Sequence, residues 1–167
     1  ETAAAWAFAV RSQTKPTALL LTRQDLAPLP AECAGNINIA RGGYVISDDA
    51  DFEYILIASG SEVAVALGAA DLLRAEGKKV RVVSMPCTSV SDAQEAAYKQ
   101  LVLPVEVGAR VAIEAAHGDY WYKYVGLDGR IIGMTSYGES APAEQLFEEF
   151  GFTVDNILAV AEELLED

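Results

Sequence analysis

Arg23 is the side chain with the clearest chemical use. It directly follows Pro16 to Thr22, an apolar stretch that reads as a strand, so its guanidinium is expected where a strand meets solvent, with a planar fork of donors suited to a phosphate. Most strand-end arginines are merely solvated, so Arg23 alone does not make a site. His117, the one histidine, follows a strand expected over Val111 to Ala115, at the end where open α/β sheets place ligands. No serine or cysteine nucleophile motif accompanies it, and it reads as a structural or surface histidine. Gly60-Ser61 opens an expected helix and could offer free N–H groups to an anion. The glycine pattern of a phosphate loop is missing, which favours a capped helix. The run Tyr120-Trp121-Tyr122-Lys123-Tyr124 suggests base stacking, but on a chain this acidic it is read as core or interface, with interface favoured. Cys33 and Cys87 lie far apart with no Cys-x-x-Cys, so a zinc site is not supported and two ordinary thiols in a reducing compartment are expected. Residue chemistry alone supplies no complete active site.

The elements that must position these groups centre on Glu53 to Met85. Tyr54-Ile55-Leu56-Ile57-Ala58 is a short continuous apolar run, as in strands covered on both faces. Ser59 and Glu62 have capping-box spacing, so a helix is expected to start there. Val63, Leu67, Ala70 and Leu73 form its apolar face, Leu72 widens it, and Gly77 closes it in the left-handed conformation. Val80, Val82 and Val83 supply the next strand. A strand, crossover helix and strand this close together predict a parallel unit, hence an α/β domain.

Before this unit, Glu1 to Gln13 reads as a helix with Ala3, Trp6, Ala7 and Val10 on one face. A chain that begins without Met, already inside a helix, reads as a piece of something longer. Pro28, Pro30, Gly35 and Asn36 give linker composition, placing a boundary near Leu29 to Ala40 and domains at 1–38 and 39–167. Tyr44-Val45-Ile46 is a strand, followed by an acidic turn at Asp48 to Asp51. After Pro86, Ser91 or Asp92 is expected to cap a short helix through Gln94, Ala97 and Tyr98. A last strand covers Arg130 to Met134. Ser140 and Pro142 start one final helix, Gly151 ends it, and Thr153 caps another whose Val154, Ile157, Leu158, Ala161, Leu164 and Leu165 form an apolar stripe. Five strands and about four helices suit a three-layer α/β/α sandwich.

With 167 residues, 51% of them apolar, the chain can bury one good core plus a smaller appendage. A net charge of −13 argues against a nucleic-acid partner. No apolar run approaches the ~20 residues of a membrane helix, and no signal peptide is visible. No membrane association and a cytoplasmic protein are expected.

The wording of longer stretches adds what periodicity does not. Leu21-Thr22-Arg23-Gln24-Asp25-Leu26, Ile39-Ala40-Arg41-Gly42-Gly43-Tyr44-Val45, Ala58-Ser59-Gly60-Ser61-Glu62-Val63 and Arg81-Val82-Val83-Ser84-Met85-Pro86 come in an order that closely resembles transketolase. So do Asp119-Tyr120-Trp121-Tyr122-Lys123-Tyr124-Val125-Gly126, Gly138-Glu139-Ser140-Ala141-Pro142-Ala143 and Phe147-Glu148-Glu149-Phe150-Gly151-Phe152-Thr153. The resemblance spans essentially the whole chain. It implies a C-terminal domain with a five-stranded mixed, mostly parallel sheet, preceded by the tail of the family's pyrimidine-binding domain. It also implies a homodimeric parent enzyme that moves a two-carbon ketol unit between sugar phosphates, using thiamine diphosphate and a divalent metal, Mg or Ca. The family's catalytic glutamate, cofactor-contacting histidines and metal ligands belong to segments this chain does not contain. The fragment alone is therefore expected to be inactive and to bind no cofactor. Arg23 is the one family substrate residue that can be placed, and the resemblance implies that it contacts the sugar's terminal phosphate. Two departures stand out. Ser91 replaces a phenylalanine usual before Asp92, which is expected to loosen the loop from Cys87 to Asp92, and His117 occupies a position the family does not use in catalysis. The alternatives are a small-anion or nucleotide-binding regulatory module, with Gly60-Ser61 or His117 at the ligand, and a purely structural domain supporting a dimer.

Overall fold

Continuous apolar runs bounded by glycine, proline and charge become the central strands of one sheet. A computed structural model describes residues 1–166, with side chains as far as Leu164; the side chain of Leu165 lies outside the described part. The strands are β1 (Tyr44–Ser47), β2 (Tyr54–Ala58), β3 (Val80–Ser84), β4 (Arg110–His117) and β5 (Arg130–Met134). Their order is β1-β3-β2-β4-β5, with β1 antiparallel to β3 and the remaining neighbours parallel. Every residue of β2 and β3 is buried, as strands covered on both faces must be.

The helices are α1 (Thr2–Arg11), α2 (Glu62–Ala75), α3 (Thr88–Asp92), α4 (Ala96–Val102), α5 (Tyr122–Val125), α6 (Ala143–Glu149) and α7 (Val154–Glu166). Tyr54, Leu56 and Ala58 point to one face of β2 and join the core made with α2 and α7, while Ile55 and Ile57 point to the other and meet Val102, Trp121 and Tyr124. The sheet is thus the middle layer of three. Gly77 takes φ 85° and the amides of Gly77 and Lys78 bond the carbonyls of Arg74 and Leu73, closing α2 as expected. Val63, Leu67, Ala70 and Leu73 are buried, but Leu72 is exposed and does not widen that face.

The acidic turn is a clamp. Arg81, only 8% exposed, donates from Nε and Nη2 to the two oxygens of Asp48 at 2.8 and 2.7 Å and lies 3.9 Å over the Phe52 ring. Asp49 accepts from Arg74 Nε at 2.8 Å and from the Val80 amide at 2.9 Å. The turn between β1 and β2 is thereby fixed to the start of β3.

Several expectations need correction. Residues 16–22 form no strand: among the described residues none pairs with them, and Leu20 and Leu21 are exposed. The helix α1 forms, yet Trp6 and Val10 face outward and Ala5 and Phe8 pack on the core instead. Residues 31–41 have linker composition but are anchored by two 3₁₀ turns, with Cys33 3% and Ile39 8% exposed in the main core and Asn36 Nδ2 donating to the Ile46 carbonyl at 3.0 Å. After Pro86 there are two short helices, not one. Ser91 and Asp92 end the first, and Glu95 precedes the second. Nor is the segment after Cys87 loose. The Cys87 amide bonds the Gly42 carbonyl at 3.0 Å, the Ser91 amide bonds the Cys87 carbonyl at 3.1 Å, and Ser91 is buried. Gly42 makes this possible: a Cβ there would meet Cys87 O and Ser91 N at 2.4 Å.

Candidate functional site

The carboxyl ends of parallel strands leave unpaired backbone and a hollow, and this is where α/β folds collect polar side chains. Here the hollow has a volume of about 510 Å³ and is walled by Ser59, Glu62 and Glu114 on the sheet side and by α1 and residues 18–22 on the other. The Ser59 hydroxyl donates to Glu114 Oε2 at 2.7 Å, and the Ser61 hydroxyl donates to Glu62 Oε1 at 2.9 Å. The capping box therefore does not form. Glu114, arriving on β4, captures the hydroxyl that the first turn of α2 would use, and no side chain caps that helix. Glu1 closes the hollow by accepting hydrogen bonds from the hydroxyls of Tyr44 and Ser84, which ties α1 to β1 and β3.

Desolvation dominates the electrostatics. Glu62 is 3% exposed, and burial pushes its carboxyl up to about 7, opposed by the Ser61 bond and reinforced by the charge of Glu114. Burial also raises the Glu114 carboxyl against the Ser59 bond. Two such groups repel an anion, so the helix start at Gly60-Ser61 is electrostatically poor as a phosphate cradle. Glu62 can instead hold a proton near neutrality.

Arg23 lies outside this hollow, in an exposed turn fixed by the Thr22 hydroxyl donating to the Gln24 carbonyl at 3.0 Å. It follows a segment that forms no strand, and it makes no hydrogen bond or ion pair among the described residues. Its whole fork is open. His117 ends β4 with its side chain 70% exposed, accepting at Nδ1 from the Asp119 amide at 3.5 Å, beside a separate hollow of about 100 Å³. The structure does not bring Arg23 and His117 into one site. The aromatic run divides: Trp121 and Tyr124 are core, whereas Tyr120 and Tyr122 are exposed. Sequence reasoning missed the Glu62 and Glu114 pair. The available signal was Glu114 itself, the one charge inside the apolar run Val111 to Ala115.

A family model of the transketolase-like TK C-terminal domain matches residues 42–153, from the approach to β1 through the turn before α7. The chain belongs to the transketolase family. Transketolase 1 of Escherichia coli (strain K12) is 60% identical over 166 residues, 99% of this chain and 25% of that protein. Transketolase 2 of Vibrio vulnificus (strain CMCP6) is 58% identical over the same shares. Among solved structures, transketolase from Leishmania mexicana superposes with a TM-score of 0.89 at 40% identity, covering 99% of this chain and 24% of that one. A Pichia stipitis transketolase in complex with sedoheptulose-7-phosphate gives 0.87 at 32% identity over the same shares. The five-stranded mixed sheet is thus the transketolase C-terminal fold, and the chain spans about a quarter of the length of these relatives.

Proposed function

We propose that this chain is the C-terminal domain, with the adjoining tail of the pyrimidine-binding domain at residues 1–38, of a cytoplasmic homodimeric transketolase that transfers a two-carbon ketol unit between sugar phosphates. The observation that carries the reading is 60% identity to the Escherichia coli enzyme across 99% of the chain. Exposed apolar residues on the first segment, Trp6, Val10, Leu20, Leu21 and Leu26, support a surface for the remainder of that domain. The Pichia stipitis complex, a relative holding a seven-carbon sugar phosphate, supports the substrate class.

Arg23 is the residue of this chain that touches substrate in this reading. Its unpaired fork suits a bidentate phosphate contact, far from the reacting carbons. Thiamine diphosphate supplies the carbanion chemistry when bound, together with a divalent metal. The residues here do not fit either group by themselves. The described residues gather no cluster of three or more His, Cys, Asp or Glu able to hold a metal ion. The strand-end hollow also presents desolvated carboxyls where a diphosphate needs donors.

The test pairs the isolated chain with a full-length transketolase carrying it. Calorimetric titration with thiamine diphosphate and an assay of ketol transfer should show binding and turnover in the full-length protein and neither in the isolated chain. Micromolar cofactor binding by the isolated chain would overturn the assignment of its machinery to other segments.

A further inference from the structure

The strand-end hollow is acidic, but on the opposite side of the fold a cavity of about 330 Å³ opens between α4 and α5, large enough for a small organic molecule. Its positive charge runs against the trend of a chain with net charge −13. Arg110, the first residue of β4, projects into it half-buried. Its guanidinium is held entirely by backbone carbonyls: those of Val107 at 2.8 Å, Tyr124 at 2.7 Å, Pro104 at 2.7 Å and Leu103 at 3.4 Å. No carboxylate pairs with it among the described residues. Four carbonyls also leave one of its five N–H donors, on Nη1, without a partner among them.

Two lysines line the same cavity. Asp92 positions both: its Oδ2 accepts from Lys123 Nζ at 2.6 Å, and its backbone carbonyl accepts from Lys99 Nζ at 3.2 Å. Glu106, the other carboxylate nearby, is engaged by Gln100 at 2.7 Å. Three fixed cations thus face two carboxylates, while Val102, Leu103 and the buried ring of Tyr124 supply an apolar wall. A half-buried cation held by carbonyl dipoles, with the Glu106 charge acting on it but no carboxylate paired with it, is stabilised by an anion that can approach it. An apolar wall beside it selects anions that carry an apolar body.

We propose that the cavity between α4 and α5 binds a small organic anion, its charged head among Lys99, Lys123 and Arg110 and its apolar body against Val102 and Tyr124. The site lies at the opening of β4, whereas the hollow facing α1 lies at that strand's far end.

Phenyl phosphate is a suitable probe, with phenol as its uncharged counterpart. Titrated into the ¹⁵N-labelled chain, phenyl phosphate should give saturable amide shifts at Lys99, Leu103 and Lys123, and phenol should bind roughly tenfold more weakly or worse, as the loss of a charge-assisted contact requires. Lys99→Gln, which removes a charge bonded only to a carbonyl on the surface, should weaken phenyl phosphate by about three- to tenfold while leaving shifts elsewhere unchanged. Equal affinity for phenol and phenyl phosphate, shifts that never saturate, or an affinity unaffected by Lys99→Gln would each overturn the proposal.

Discussion

Replacing Glu62 by glutamine separates a buried, proton-holding carboxyl from a helix cap. Glu62 is 3% exposed and its carboxyl sits near 7 in the fold, against an ordinary value of 4.5. The folded state therefore binds this proton more tightly than the unfolded state. The resulting stabilisation is complete below about pH 4.5 and is lost as the pH rises through 7. The gap between the two values is worth about 3 kcal/mol. Glutamine keeps the shape of the protonated acid, and its amide oxygen can still accept from the Ser61 hydroxyl, but it never ionises. Glu62→Gln should match the parent chain near pH 4.5 and exceed it by roughly 3 kcal/mol at pH 8, about 6–12 °C in Tm for a chain of this size. Glu114, also raised by burial, gives both proteins a residual slope of the same sign. Urea unfolding at half-unit intervals from pH 4.5 to 8 reads the difference. A variant less stable than the parent by a constant amount at every pH would mean that Glu62 is ionised throughout and caps α2, refuting the reasoning.

Asp48→Asn leaves the Arg81 side chain, 9% exposed, facing a neutral partner whose side chain is itself 42% exposed. It should cost about 1.5–3 kcal/mol in chemical denaturation, and a loss under 0.5 kcal/mol would make the pair an ordinary surface bridge. A chain beginning at residue 39 loses Cys33 from the main core, whereas one beginning at residue 29 retains it. The shorter chain should unfold at lower urea, and identical midpoints would show that the 3₁₀ turn at Ala31–Asn36 contributes nothing.

The sheet was legible because its strands carry their own signal. Tyr54 to Ala58 and Val80 to Ser84 are apolar at nearly every position and bounded by turns, and both became fully buried strands. Gly77, Gly151 and Thr153 announced helix ends through local backbone chemistry, and each behaves as its type requires. Errors arose where a distant residue decides the outcome. Ser59 had the spacing of a cap, but Glu114, 55 positions later, takes its hydroxyl. Asp48 read only as part of an acidic turn, yet it pairs with Arg81, 33 positions away. Residues 16–22 have strand composition, but a strand exists only with a partner, and none pairs with them among the described residues. Ala-rich α1 has too weak an apolar stripe to say which side faces the core, and Phe8, not Trp6, turned inward. The proposed substrate residue Arg23 stands out only through its neighbours in sequence, since an open guanidinium on a turn has no local signature.

The most direct test of the central claim is Arg23→Ala in a full-length transketolase carrying this segment, assayed with one phosphorylated and one small unphosphorylated ketol donor. If the guanidinium grips the terminal phosphate, the loss should be about 1.5–3 kcal/mol, roughly ten- to a hundredfold in kcat/KM for the phosphorylated donor. KM should rise more than kcat falls, because a remote phosphate is bound alike in ground and transition states. The unphosphorylated donor should be nearly indifferent. Equal losses on both donors, or none on either, would contradict the assignment of Arg23 to the substrate's phosphate.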